Sequence, residues 1–467
     1  MLWRMIQKEI LANLVRPSFF VTSGLCAVLV LLSAYTGVQN YLTQKGEYDA
    51  ALVLNRKNLE SQPSYGALAG IGTKINKPPA VLGILVSGEE SPLGRVAKVD
   101  VAFEPKLVDS KYESNPIFAV FGDLDLTFVT KTVLSLLAIL WAYNMISGEK
   151  ESGTLRLILS GAVPRHTLIL GKAIGGFLCL FVVLLLFFLL SVLMVTLFSG
   201  VQLDGDAWVR LGAIYAVYIL YVAVFLSLGL LVSSRTHESA ASLLALLAIW
   251  TVLVLVIPKV SVILAGQMVE VPSAHEVQAQ KDAFLMQIQR EAEQEVRDYM
   301  KKMKDDKTPD KEKRDKFLAY VQELQARQLE RQAQESGRLD REYENRQRSQ
   351  AHLALALSRV SPASAMTFAA TSLAQTGIDR HERFRTAVRA YKQEFITYVN
   401  SKLFSDIDKE KDKNTRIDLN GMPAFQFREE SLSASVARVA PDVLVMALFV
   451  VLSFLIAYVS MLKYDVR

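Results

Sequence analysis

Six apolar runs, each near the length of a bilayer crossing, constrain this chain more than any other feature. They lie at about 18–38, 126–146, 173–199, 208–232, 240–264 and 440–462. A spanning helix needs about 20 mostly apolar residues, and in hydrocarbon it must satisfy its own backbone hydrogen bonds. Four of the runs hold no charged residue well inside. Lys131 stands near the start of the second, and Lys259, beside Pro258, near the end of the fifth. An interfacial lysine snorkels its ammonium toward water, which is the plain reading of both; the other is contact with a substrate or ion.

Of the 467 residues 51% are hydrophobic, yet residues 275–350 are almost entirely polar. Apolar residues gathered into runs beside a long polar stretch indicate a membrane protein with a large aqueous part. The first run follows Arg4 and Lys8 as a signal peptide would, but its apolar core exceeds a typical h-region, so it is expected to remain as a span. Cys26 and Cys179 both fall in expected spans and form neither a disulfide framework nor a zinc site. A net charge of +5 is modest and calls for no nucleic acid.

Charge placement sets the expected orientation. Short Lys- and Arg-bearing loops stay in the cytoplasm. Arg4, Lys8 and Arg16 lie in the N-terminal arm, and Lys150, Arg156, Arg165 and Lys172 between the second and third runs. Arg235 lies in the loop SSRTHES, and Lys463 and Arg467 in the tail. The loop between the third and fourth runs carries Asp204 and Asp206 and no positive residue. Six spans with both termini cytoplasmic fit this pattern. The insertions 39–125 and 265–439 then lie outside.

The expected fold is a mainly α membrane protein. Its units are residues 1–38, the insertion 39–125, spans two to five over 126–264 with a cytoplasmic loop at 147–172, the insertion 265–439, and 440–467. In the first insertion, VLGILVSG (81–88) and VAKVDVAFEP (96–105) read as short strands, with Val99, Val101 and Phe103 alternating. The second reads as helical. Ser273 and Glu276 form a capping box, and a helix is expected to about Lys304. Thr308 and Pro309 then start another, expected to reach about 358, roughly 75 Å, with Gly337 a point to bend or break it. Ser361-Pro362 starts a third that Gly377 can end, and Asp379 with Glu382 begins a fourth to about Phe404. Apolar residues from Phe284 to Met303 and from Phe317 to Leu329 recur at mixed threes and fours, as in an antiparallel hairpin.

Several enzyme classes are excluded by motif. A phosphate-binding loop needs G-x-x-x-x-G-K-[ST], but His166 fills the first glycine position before Gly171-Lys172, and Ala173 follows. His237-Glu238, His275-Glu276 and His381-Glu382 lack the second zincin histidine, since Ala241, Ala279 and Arg385 stand there. No G-x-S-x-G occurs. The chain reads as non-catalytic.

The segment GEKESGTLRLILSGAVPRHTLILGK (148–172) is longer and more patterned than a connector. Leu155, Ile158 and Leu159 share one helical face, with Glu149, Glu151 and Arg156 elsewhere. It reads as an amphipathic surface helix, passive or docking. The segment resembles the first cytoplasmic loop of ABC-2 type permeases, the membrane subunits of one class of ABC exporters. Glu149, Glu151, Gly153, Thr154 and Leu155 match E-x-E-x-G-T-L, and Arg165 with Gly171-Lys172 matches the following R and L-G-K. The arm with Leu2, Met5, Ile6, Ile10 and Leu14 resembles that family's interfacial helix. The large insertions resemble a subgroup reminiscent of permeases in gliding-motility and nitrous-oxide-reductase maturation systems.

The resemblance implies a permease subunit in a bacterial cytoplasmic (inner) membrane, paired with a second copy or a related permease. A separate cytoplasmic ATPase would bind ATP and Mg, this chain holding no cofactor itself. Residues Glu149, Glu151, Gly153, Thr154, Leu155, Leu159, Arg165 and Lys172 would couple to it, with Arg235, His237 and Glu238 as a second contact. Substrate would be exported, or force passed to an extracytoplasmic domain and its protein partner. The alternative is a membrane-anchored sensor, scaffold or mechanotransducer without transport.

Overall fold

The computed structural model describes residues 2–15, 17–88, 94–101, 104–108, 124–161, 164–304, 310–406, 417 and 419–464. Arg16, Phe103, Thr308, Pro309 and Arg467 lie outside the described residues. The chain is mainly helical, and six of its helices are long and apolar enough to cross a membrane. These are Phe19–Glu60, Leu126–Glu151, Arg165–Thr196, Gly205–Arg235, Ser239–Met268 and Leu432–Leu462, matching the six apolar runs.

Helix α1 (Leu2–Leu14) precedes the first span, α2 (Pro17–Glu60). The apolar run predicts an end near 38, but α2 continues for 44 residues in all. Hydropathy falls there while helix propensity does not, and no proline intervenes until Pro63. Helix α3 (Tyr65–Ile71) follows, capped by Ser64, whose Oγ accepts from the Ala67 amide. Strands β1 (Thr73–Asn76), β2 (Val96–Val99) and β3 (Lys106–Val108) form an antiparallel sheet in the order β1-β2-β3.

The run at 81–88 is not a strand. Val81–Ile84 is a 3₁₀ turn, with Leu82, Ile84, Leu85 and Val86 buried. It sits against the first span at Gly37, where a Cβ would fall 1.9 Å from the Ile84 carbonyl oxygen. Short apolar runs suit either a buried strand or a buried turn, and here packing against α2 decides.

The second span begins as α4 (Leu126–Phe128), passes through a π-helical segment at Val129–Leu134, and continues as α5 (Ser135–Ala142). Helices α6 (Ser147–Glu151) and α7 (Thr154–Ser160) lead to the third span, α8 (Arg165–Thr196). The fourth span, α9 (Gly205–Arg235), is the hub. Tyr218 and Tyr221 are buried and bond Thr127 Oγ1 (2.9 Å) and the Lys131 carbonyl (2.8 Å). A Cβ at Gly229 would lie 2.1 Å from the Ala142 Cβ, so spans two and four approach closely there. The fifth span runs as α10 (Ser239–Trp250), a π segment at Thr251–Val256, and α11 (Ile257–Met268).

The second insertion is helical as expected. The capping box forms, with Glu276 N–H donating to Ser273 Oγ (3.1 Å) and Ser273 N–H to Glu276 Oε2 (2.8 Å). Helix α12 (Ala274–Lys304) and α13 (Asp310–Ser358) make the hairpin, joined by Lys281–Asp340 (2.5 Å), Arg331–Glu291 (2.9 Å) and stacked Tyr299 and Tyr320 rings. Gly337 does not break α13, which runs 49 residues. In the hairpin stripe Ile288 and Leu324 are buried, while Met300, Leu318 and Leu329 stay exposed.

Ser361 Oγ caps α14 (Pro362–Leu373), which ends at a turn with Gln375 left-handed, before Gly377. Helix α15 (Ile378–Asp406) then leads toward the sixth span, α16 (Leu432–Leu462). The two insertions share one core. Leu59, Tyr65, Leu68, Ile75, Ala97 and Val99 pack on the Phe384, Tyr391 and Phe395 face of α15. A buried Arg380 closes the module by donating to Glu429 and to the Pro78 carbonyl.

Arg210 ties this module to the spans. It is fully buried and donates to Asp206 (2.5 Å), Ser435 Oγ (3.0 Å) and the Glu430 and Leu373 carbonyls (2.6 and 3.3 Å). Removing it strands several buried acceptors. Arg210→Met is expected to cost about 3 kcal/mol and Arg210→Lys less. Thermal aggregation of the detergent-solubilised protein, followed by size-exclusion chromatography, checks this; coincident melting curves would make the bond set dispensable.

Candidate functional site

The segment 147–165 lies at the end of the bundle that also holds α1 and the start of the C-terminal tail. Three consecutive charged side chains in it reach three different places. Glu149 forms an ion pair with Lys172 Nζ of the third span (2.9 Å), which also donates to Glu9 Oε1 of α1 (2.9 Å). Lys150 donates to the Ser234 and Thr236 carbonyls (2.5 and 3.0 Å) at the C-terminus of the fourth span. Its ammonium also sits 5.1 Å from the Tyr464 ring centroid. Glu151 Oε2 accepts from the Ser239 amide (3.0 Å) at the N-terminus of the fifth span. Two of these are helix-end contacts in which charge sign matches the macrodipole: a cation on free carbonyls, an anion on a free N–H.

A fourth tie comes from Arg165, which donates to the Leu462 carbonyl (2.5 Å) at the C-terminus of the sixth span. Behind them, Ser233 Oγ accepts from the Ile146 and Ser147 amides (2.9 and 2.8 Å), joining spans two and four.

The Glu9–Lys172–Glu149 group is largely buried. Lys172 is 2% exposed, with one carboxylate on either side. Lys8 Nζ lies 3.8 Å from Glu149, and Glu149 Oε2 is buried without a hydrogen-bond partner among the described residues. The third span admits α1 this closely because Gly171 and Gly175 face it. A Cβ there would lie 2.8 Å from Met5 Cβ and 2.7 Å from Glu9 Cβ.

Between α6 and α7, Gly153 is left-handed (φ 73°, ψ −3°). A glycine adopts this freely. A Cβ at 153 would meet nothing within 4 Å in this chain, so the turn stands clear on its outer side. Thr154 is exposed, its Oγ1 2.9 Å from Ser152 Oγ. Leu155 is 0% exposed and roots α7 in the core, with Leu159 half-buried beside it, whereas Leu157 is 73% exposed. Arg156, Arg235, His237 and Glu238 are exposed at the same end.

The named residues therefore divide. Glu149, Leu155 and Lys172 face inward, Glu151 and Arg165 bond neighbouring helix ends, and Gly153 and Thr154 remain outward. The expectation of one amphipathic helix becomes two short helices broken at Gly153, with Leu155 buried as its pattern indicated. Sequence reasoning missed Glu9, Ser233 and the role of Lys150. Glu9 follows Met5 and Ile6 by four and three residues, so an acidic side chain on the apolar face of α1 was the available signal. Gly171 and Gly175, four apart, were the matching signal on the third span.

Removing one partner from a buried charge group costs far more than the intact group contributes. Lys172→Met is expected to destabilise the protein by about 3–5 kcal/mol. Adding Glu9→Gln should recover part of that loss, a coupling of about 0.5–3 kcal/mol in a double-mutant cycle of melting curves. Strict additivity would rule out the buried pairing.

A family profile described as "ABC-2 family transporter protein" matches residues 3–466. Part of the chain is also similar to two curated relatives. A probable ABC transporter permease protein NosY of Stutzerimonas stutzeri is 32% identical over 149 residues, 30% of this chain and 54% of the relative. A protein of the same description from Pseudomonas aeruginosa is 33% identical over 133 residues, 28% of this chain and 47% of the relative. The matched segments span about half the length of those relatives. With the family match running from the first turn of α1 to the tail, the chain belongs to the ABC-2 family of transporter proteins.

Proposed function

We propose that this chain is the permease subunit of an ABC transporter, and that the 147–165 segment is its coupling element for a separate ATPase subunit. One observation carries the reading. Glu149, Lys150 and Glu151 tie a protruding turn to the third, fourth and fifth spans and, through Lys172, to α1. Arg165 adds the sixth. A push on the Gly153 turn therefore reaches most of the bundle through short charge-assisted bonds.

The residues take distinct roles in this reading. Ser152, Gly153, Thr154 and Leu157 form the contact, Gly153 giving the clearance for close approach of another backbone. Arg235, His237 and Glu238 form the smaller second contact. Glu149, Lys172 and Glu9 carry displacement inward. The unpartnered Glu149 Oε2, with Lys8 3.8 Å from the carboxylate, leaves room for a second bonding arrangement when the turn moves. Positive residues gathered at this end support a cytoplasmic placement in a bacterial inner membrane, with the insertions on the far side. ATP and Mg would reside in the ATPase, and two copies, or this chain with a related one, would form the membrane core.

Thr154→Trp and Leu157→Asp replace exposed side chains and should leave expression and melting behaviour near wild type. Both are expected to reduce copurification with a candidate ATPase subunit co-expressed with the chain at least about tenfold, together with any permease-stimulated ATP hydrolysis. Undiminished capture and turnover in both variants would refute the docking surface.

A second reading, force transmission rather than export, is favoured by the join between the fifth span and the hairpin. Gln350 Nε2 of α13 donates to the Val269 carbonyl (2.8 Å) just after α11, and α12 starts at Ala274. A chain lacking residues 276–350 separates the two. Transport that persists without them assigns export to the spans alone, whereas intact ATPase stimulation with a lost outer phenotype assigns the hairpin to force transfer.

A further inference from the structure

At the insertion end, two cavities of about 480 and 460 Å³ adjoin, sharing Lys131, Leu355, Thr367, Phe368 and Ile378 in their walls. Their chemistry differs. The first is charged, with Asp125, Arg359, Asp379, Arg438 and Asp442 around it. The second is apolar on its membrane side, lined there by Val254, Pro258 and Val262 of the fifth span. Val262 is also 61% exposed, so it stands at the rim of this cavity, which opens there on the outer surface of that span beside the exposed Ile263.

Among the arginine and lysine side chains of the charged cavity, the ion pairs leave one over. Arg359 bonds Asp442 (3.0 Å), and Arg438 bonds Asp379 (2.8 Å) and Glu430 (2.6 Å). Asp125 caps the second span, accepting from the Phe128 amide (2.7 Å) and from the Ser87 amide and hydroxyl (3.1 and 3.2 Å). The Lys131 ammonium, half-buried where the cavities meet, has no hydrogen bond or ion pair among the described residues. A partly desolvated, unpaired ammonium favours an anion.

The backbone is specialised at the same place. Lys131 lies inside the π-helical segment Val129–Leu134, and Val254 inside the second π segment, Thr251–Val256. Such segments are rare and concentrate at functional sites. Here they are held by bonds between spans. The Lys131 carbonyl accepts from Tyr221 Oη and Ser135 Oγ, and Trp250 Nε1 donates to Ser135 Oγ (2.8 Å). Two spans thus carry irregular turns that face one pair of cavities.

We propose that these cavities bind one anionic membrane lipid, its phosphate head on Lys131 and an acyl chain along Val254, Pro258 and Val262. A free anion would leave the apolar cavity empty, and a neutral amphiphile would leave Lys131 unmatched. The opening on the exposed face of the fifth span provides lateral entry from the bilayer leaflet at the insertion end. The site stands on this geometry and is independent of the ATPase contact at the other end.

Native mass spectrometry of the full chain with dioleoyl phosphatidylglycerol and dioleoyl phosphatidylcholine tests this. Wild type should retain phosphatidylglycerol at least about tenfold better than phosphatidylcholine, the range of one charge-assisted contact. Lys131→Ala should abolish that preference and Lys131→Arg should restore it. Ala354→Trp, which fills the apolar cavity, should reduce retention of both lipids, with circular dichroism and melting curves confirming the fold. Equal wild-type retention of the two lipids, needing no variant, would overturn the proposal, as would unchanged preference in Lys131→Ala. Displacement by glycerol phosphate as effective as by the lipid, with Ala354→Trp silent, would instead assign a free-anion site and also overturn it.

Discussion

The terminal end of the bundle depends on one buried cation. Lys172 lies between Glu9 and Glu149, and through them α1, the third span and the 147–165 segment become a single body. Desolvating three charges is costly, and an apolar set of equal volume would often be as stable. What the charges add is register. Hydrophobic contacts tolerate sliding by a turn, whereas an ammonium with a carboxylate on either side has one arrangement that leaves few orphans. The glycines at 171 and 175 make that arrangement reachable by letting α1 lie against the third span.

The same logic recurs at the insertion end with a different cation. Arg210 bonds a side chain of its own helix, a hydroxyl of the sixth span and two carbonyls of the second insertion. The spans between these clamps are held mostly by apolar packing and close small-residue contacts, such as Gly229 on Ala142. Such contacts permit small shear, while the clamps move as units. The π segment of the second span lies near the insertion end and that of the fifth at mid-span, places where a displaced span has its backbone bonds already rearranged.

The insertions are large in sequence but make one module. The extension of α2 to Glu60 delivers Leu59 to a core otherwise built from β1, β2, α3 and α15. This ties the first span's far end to residues more than three hundred positions later. The hairpin of α12 and α13 is different. Its faces carry mainly i,i+4 ion pairs such as Arg346–Glu342, worth a few tenths of a kcal/mol each. Its base is placed by Gln350 on the Val269 carbonyl after the fifth span and by ion pairs to α15, Glu344 with Arg385 and Arg389, and Arg348 with Glu382.

Hydropathy alone determined the six spans, because a bilayer demands a continuous apolar stretch and that demand is local in sequence. Local chemistry likewise determined the Ser273–Glu276 capping box, the Ser361 cap and the buried Leu155, each decided within a turn or two of helix. Tertiary structure decided the rest. Propensity without hydropathy let α2 run past 38, and Gly37 drew the 81–88 run into a 3₁₀ turn. Glu9 and Lys172 stand 163 positions apart, and no periodicity brings them together; the glycine face of the third span does. Nor does charge pattern distinguish Lys172, sealed between carboxylates, from Lys131, open to a cavity, since each is a lone lysine at the edge of an apolar run. Their difference lies in which distant side chains folding places within reach of the ammonium.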